Sequence, residues 1–178
     1  RNTQCKIWGW AEANHYVRIV TGWDNHCYQV KAGSDGAWKV EVKTPEASYN
    51  TYDITFTEYR SDPEKKAKGN KPIATSVSKD VLIGEVWFCS GQSNMEMPLG
   101  GFWNCPVEGA NETILESKKY NRSIRVATIA KDGKQEPQKK VAGKWEKAEP
   151  KNASRFSACA YYFATTLTDA LDVPVGVI

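Results

Sequence analysis

Histidine is scarce here: the 178 residues contain His15 and His26 and no other, and methionine is limited to Met95 and Met97. Two histidines beside five cysteines, with no Cys/His cluster at zinc-ligand spacing, exclude the common structural zinc modules. No apolar run approaches the roughly 20 residues of a helical membrane span. Neither sign of charge prevails, since 24 Lys and Arg against 21 Asp and Glu leave a formal net charge of +3. The lysines are scattered rather than striped. Lys65-Lys66-Ala67-Lys68 and Lys139-Lys140 fall in polar, turn-rich stretches, which read as solvated loops rather than a nucleic-acid surface. The chain opens at Arg1 without an initiator Met or a signal peptide and reads as a mature or trimmed product.

What is present suits a soluble globular protein, with 40% hydrophobic residues and enough chain for one good core, or one small domain plus part of another. The odd number of cysteines leaves at least one unpaired. Cys5 and Cys27 lie where they could bridge neighbouring strands, whereas Cys89 and Cys159 read as core residues. Asn111-Glu112-Thr113, Asn121-Arg122-Ser123 and Asn152-Ala153-Ser154 are glycosylation sequons, relevant only in a eukaryotic secretory pathway.

Residues 4–80 read as all-β. Cys5–Trp10, Tyr16–Val20, Cys27–Lys31, Trp38–Val42 and Tyr52–Thr57 are short segments, several alternating apolar and polar, separated by Gly, Asn and Asp turns. This predicts a small β-sandwich module over 1–80, with a breaker-rich loop through 61–72 and a last strand over 73–82. After Gly84 the period changes. Val86-Trp87-Phe88-Cys89 is apolar throughout, as a strand covered on both faces would be. A short helix is expected near 112–119, a strand over 124–129, and a polar stretch over 131–153 anchored by Trp145. A helix over 157–171 should bury Ala160, Phe163, Ala164, Leu167 and Leu171, and a strand should start at Val175. Strand–helix–strand order predicts an α/β domain with a parallel sheet over 81–178.

The most informative stretch is Val81–Leu99. Its apolar strand runs into the small-residue turn Ser90-Gly91-Gln92, then Ser93 and a helix start. Such a turn lifts a side chain to the carboxyl edge of a sheet, where α/β folds bind ligands, and helix-start N–H groups suit a developing oxyanion. Ser93-Asn94-Met95-Glu96 equally fits a capping box, with Ser as N-cap and Glu three residues on. The two readings are compatible, because a nucleophile at such a turn also sits at a helix N-terminus.

Gly84–Leu99, GEVWFCSGQSNMEMPL, closely resembles the nucleophile block of the sialate O-acetylesterase family, carbohydrate esterases of the SGNH-hydrolase superfamily. Ser123–Val126, Gly143-Lys144-Trp145, Phe156–Ala164 and Leu171–Ile178 resemble that family's following blocks in order, and the β-rich start fits its N-terminal module. The resemblance implies that residues 81–178 are the first, incomplete part of an SGNH-type three-layer α/β/α domain. It implies a serine esterase that removes O-acetyl groups from a carbohydrate, with Ser93 as nucleophile and no metal or organic cofactor. Gln92 would brace the turn in place of the acidic residue of the more widespread Gly-Asp-Ser motif, and Asn94 would join it near the oxyanion. Glu96 and Trp103 are pocket candidates, although Glu96 suits a cap and Trp103 a buried loop anchor. The family's address implies a secreted, periplasmic or lysosomal protein, and its partner is an O-acetylated sugar or glycan, with no nucleic acid and no membrane span.

The family pattern continues with a Gly-rich oxyanion segment, an Asn block, and a late Asp and His, and Gly176-Val177-Ile178 stops short of them. A serine hydroxyl is a weak nucleophile until a base takes its proton. His15 and His26 lie in the β module outside any family block, and His26 suits hydrogen bonds within a turn. The expectation is therefore a chain inactive alone, whose Asp and His come from the remaining part of the same protein. Two rivals stand beside this reading: an acetylxylan-type esterase, and a non-catalytic carbohydrate-binding module with Trp8, Trp10 and Trp23 as its platform. For Trp8 and Trp10, which share a strand face, the alternative role is core packing.

Overall fold

In the computed structural model, residues 1–65 and 71–178 are described, and part of the lysine-rich segment around Lys65–Lys68 lies outside them. The chain divides into two compact units, Arg1–Ile83 and Gly84–Ile178. It is a mixed α/β protein, with three sheets among the described residues.

Among the described residues the first unit has six strands: β1 (Gln4–Trp10), β2 (Tyr16–Thr21), β3 (Cys27–Lys31), β4 (Ala37–Lys43), β5 (Ser48–Tyr59) and β6 (Pro72–Ile83). β1 and β4 pair antiparallel as a two-stranded sheet, and a four-stranded sheet runs β3-β2-β5-β6. Val17, Ile19, Ala32, Trp38 and Ile54 form the core between them, with Ile7, Val40 and Phe56 packed against it. Ile19 is fully buried, a contribution of about 2 kcal/mol from its apolar surface alone. Gly9 lies opposite Trp38, where an added Cβ would fall 2.7 Å from the indole; the missing side chain is what admits the Trp38 ring.

Three expectations are corrected in this unit. Trp8 and Trp10 do share a face, but Ile7 and Gly9 take the core side, leaving the two indoles exposed and stacked edge to face at 5.4 Å. Trp23 belongs to no platform with them: half-buried, it donates to the Lys43 carbonyl at 3.1 Å and packs on Tyr52. Cys5 and Cys27 do not bridge neighbouring strands: both are exposed free thiols, on β1 and β3, which are not neighbours in a sheet.

The second unit is built on a four-stranded sheet of order β7-β10-β8-β9, from β7 (Glu85–Trp87), β8 (Ile124–Ala127), β9 (Trp145–Lys147) and β10 (Val175–Val177). β10 pairs parallel with both β7 and β8, while β9 is antiparallel to β8. Ile124, Val126, Val175 and Val177 are buried. Around the sheet stand α1 (Ser93–Glu96), α2 (Ala110–Glu116) with a following 3-10 turn, α3 (Pro150–Ala153) and α4 (Ala158–Leu171). Pro150 opens α3 at a position where its missing N–H costs nothing. Ser157 caps α4, its side chain accepting from Ala160 N–H at 3.3 Å.

Here too burial departs from expectation. β7 is an edge strand and only three residues long, so Val86, Trp87 and Phe88 are exposed rather than covered on both faces, and Cys89 is half-buried just beyond it. Burial raises the Cys89 thiol pKa. The buried stripe of α4 is Ala160, Tyr161, Ala164 and Thr168, rotated from the expected face. Phe163 and Leu171 are exposed, with Phe163 edge to face on Trp87 at 5.3 Å. Cys159 is exposed rather than core. Trp145 is half exposed, yet its ring lies close over Gly176, where a Cβ would come within 3.2 Å. Among the described residues no helix is long and apolar enough to cross a membrane.

Candidate functional site at the β7–α1 turn

β7 delivers the chain to the turn under close constraint. Glu85 N–H donates to the Pro174 carbonyl at 2.9 Å, Ile178 N–H to the Trp87 carbonyl at 2.9 Å, and Cys89 N–H to the Ile178 carbonyl at 2.7 Å. Because β7 and β10 run parallel, Cys89 leaves at the carboxyl end of the sheet. The chain is caught again at Leu99 and Gly100, whose N–H groups donate to Phe156 and Ser154 carbonyls at 2.8 and 2.7 Å. Leu99 is fully buried and fixes that end.

Between these clamps the turn is tight. Gly91 packs on Met95, where a Cβ would come within 2.9 Å of the Met95 Cβ. The Gln92 carbonyl accepts Glu96 N–H at 2.9 Å and the Ser93 carbonyl accepts Met97 N–H at 3.1 Å, closing the single turn of α1. Met95 and Met97 tie this turn to α4: Ser157 Oγ donates to Met95 Sδ at 3.4 Å, and Ala158 N–H to the Met97 carbonyl at 2.8 Å.

The capping box does not form. Gln92 holds the N-cap position without a side-chain bond, and Ser93 is the first helical residue. The Ser93 side chain is exposed, and among the described residues its hydroxyl makes no hydrogen bond. Glu96 turns instead to Lys131, with which it forms an ion pair across 35 residues of sequence. Gln92 is exposed and braces the turn through its carbonyl. The Asn94 carbonyl accepts the Cys159 thiol at 3.3 Å. Trp103 is no buried anchor: it is fully exposed, at the tip of a loop closed by reciprocal bonds between Phe102 and Cys105 at 3.0 and 3.1 Å.

The unit Gly84–Ile178 contains no histidine. In the first unit His15 Nδ1 meets Glu58 at 2.6 Å, and His26 N–H donates to Asp24 Oδ1 at 3.0 Å, the turn role expected of it. Among the described residues no group of three His, Cys, Asp or Glu side chains is placed to hold a metal. Beyond the carboxyl end of β8 a groove of about 580 Å³ is lined by Thr128, Gly143, Lys144, Glu146, Arg155 and Phe156. Hydrogen bonds from Lys144 and then Arg155 hold the Glu146 carboxyl below the usual carboxylate range. Neither the Lys131 pairing nor this ion cluster is visible in local sequence, since each joins residues distant along the chain or brought together by β9.

No protein-family model matches the chain. It is 34% identical over 104 residues to human sialate O-acetylesterase and 31% to the mouse protein, matches that cover 56% of the chain. The chain spans 19% of the length of these curated relatives. Its fold superposes on a crystal structure of a carbohydrate acetylesterase from Xanthomonas citri with a TM-score of 0.81 and 27% identity, covering 99% of this chain and 36% of that one. Over its matched residues the chain is therefore similar to the sialate O-acetylesterases, and over nearly its whole length it shares the fold of part of a carbohydrate acetylesterase.

Proposed function

We propose that Ser93 is the nucleophile of a serine esterase that removes O-acetyl groups from a carbohydrate, with O-acetylated sialic acid as substrate. One observation carries the reading: an exposed serine hydroxyl, uncommitted to any hydrogen bond, on a clamped turn at the carboxyl end of a parallel strand. The sialate O-acetylesterase relatives support the reaction and the sugar. In this mechanism Ser93 Oγ attacks the acetyl carbonyl while a base takes its proton. The Ser93 N–H donates to the oxyanion, and the sugar hydroxyl leaves with the proton. Water then attacks the acetyl-enzyme, and acetate departs. In this reading Gln92 and Asn94 shape the turn beside the oxyanion, and Glu96 and Trp103 contribute to the substrate pocket.

The base is the part this chain does not supply. Its second unit has no histidine, and His15 is already engaged with Glu58. We therefore propose that the Asp and His come from further polypeptide of the same protein, and that residues 1–178 alone are inactive. The reading extends to a β-sandwich module over 1–80, the first part of an SGNH-type α/β/α domain over 81–178, and a secreted, periplasmic or lysosomal address. The test uses acetate release from O-acetyl sialic acid by a polypeptide of the relatives' full length, with Ser93→Ala expected to lower kcat at least about 1,000-fold. An undiminished rate in Ser93→Ala overturns the nucleophile. Ser93-dependent hydrolysis of an aryl acetate by the 178-residue chain overturns the borrowed base. Faster release from acetylated xylan would reassign the sugar to the acetylxylan class.

A further inference from the structure

In the first unit a two-stranded sheet lies over a four-stranded one, and the cover is too narrow. β6 is left outside it: Pro72–Lys79 are exposed without interruption. Between β1 and β6 runs a groove of about 370 Å³, within the size range of small-ligand clefts.

The chemistry of its walls is uneven in an informative way. The β1 bank carries Trp8 and Trp10, 61% and 40% exposed, which are costly surfaces to leave in water. Across the sheet, Ala74, Ser76 and Ser78 of β6 stand in register with Glu58, Phe56 and Ile54 of β5. The floor beyond the core is thus small and hydroxyl-bearing rather than Val- or Leu-rich. At its end the Glu58 carboxylate is 20% exposed and fixed through one oxygen, which accepts from His15 Nδ1 at 2.6 Å and from Glu12 N–H at 3.1 Å. Among the described residues its Oε2 accepts no hydrogen bond.

An apolar chain or a lipid laid here would bury two serine hydroxyls and half a carboxylate without partners, at a cost for each. A sugar ring satisfies both sides. Its C–H face lies on an indole, and its hydroxyls donate to Glu58 Oε2 and exchange bonds with Ser76 and Ser78. An anionic sugar would bring a second carboxylate toward Glu58, which is unfavourable at close range. We propose that the β1–β6 groove binds a neutral pyranose ring of a carbohydrate, a site that belongs to the first unit alone and is independent of Ser93.

The experiment is a ¹H–¹⁵N titration of the 178-residue chain with methyl β-D-galactopyranoside, xylobiose and N-acetylneuraminic acid, reading the indole N–H signals of its seven tryptophans. At least one neutral sugar is expected to move the Trp8 and Trp10 signals with a Kd near the millimolar range, and N-acetylneuraminic acid to bind more weakly. Trp8→Ala should weaken binding about tenfold, as should Glu58→Gln, whereas Ser93→Ala should leave it unchanged. Because the Trp8 indole packs against Trp10 and solvent rather than the core, this variant should keep the parent Tm, and Trp10→Phe serves as a second probe of the same bank. The proposal is overturned if neither neutral sugar moves the Trp8 and Trp10 signals by about 50 mM. It is equally overturned if the variants bind as tightly as the parent while retaining its Tm, or if the acidic sugar binds as well as the neutral ones. Loss of esterase activity in the full-length Ser93→Ala protein with sugar binding intact separates this site from the catalytic proposal.

Discussion

Gly84 carries the sharpest stability prediction. An added Cβ would fall 1.9 Å from the Pro174 carbonyl oxygen, where contacts under 3.0 Å are not seen. That oxygen is the acceptor for Glu85 N–H, the first rung between β7 and β10. In Gly84→Ala the strands must part by about 1 Å, which takes the rung beyond hydrogen-bond reach and strains the next, from Ile178 N–H to Trp87. Two backbone bonds at about 1 kcal/mol each, plus overpacking of at least about 1 kcal/mol, give a loss near 3 kcal/mol. Gly109→Ala is the control: nothing lies within 4 Å, but φ is +68°, so the cost should be about 1 kcal/mol from the left-handed backbone alone. The assay is urea unfolding, with hydrogen exchange at the Cys89 and Ile178 amides to locate the damage in the second unit. If Gly84→Ala costs no more than Gly109→Ala, the close approach of β7 to residue 174 is refuted.

Other outcomes follow from the same structure. A thiol reagent on the native protein should modify Cys5, Cys27, Cys105 and Cys159 quickly and Cys89 slowly, because Cys89 is half-buried with a raised pKa; fewer than five titratable thiols would reveal a disulfide. Burial first, and then donation to Asp169 at 2.7 Å, pushes the Tyr120 phenol up to about 12. The neutral phenol is the form the fold favours, so its contribution is complete below the ordinary value of 10 and is lost as pH rises from 10 toward 12. Tyr120→Phe should remove that part of the alkaline decline, and an absorbance titration with every tyrosine ionising near 10 would contradict it. Ser157→Ala should cost about 1 kcal/mol in chemical denaturation through loss of the α4 cap, with Ser157→Asn restoring most of it.

The parts of the fold legible in sequence were those written in local patterns. The alternation of Trp38–Val42 and Tyr52–Thr57 and the apolar period of the helix over 157–171 each specify an element that the structure contains. Alternation separates two faces without saying which is inward, and at β1 the packing of Trp38 against Gly9 decides it against the two indoles. β9 escaped because Trp145-Glu146-Lys147 is three residues long and mostly polar, and only its pairing with β8 makes it a strand. On α4 the large residue Phe163 lies outside the buried stripe, which runs through the small Ala160 and Ala164 together with Tyr161 and Thr168. At the candidate site the turn was readable from its glycine and serine. The fate of Glu96 was not, because Lys131 reaches it from far along the chain.

The outer edge of β7 has a consequence for the behaviour of concentrated solutions. Glu85, Trp87 and Cys89 spend their backbone bonds on β10, so Val86 and Phe88 present theirs outward, beside side chains 67% and 73% exposed. Among the described residues no strand pairs with that side of β7, and an apolar edge of this kind is a template for another extended chain. Self-association nucleated there would rise with protein concentration and with sulfate, which strengthens apolar burial, and a lysine at position 86 would act as a gatekeeper against it.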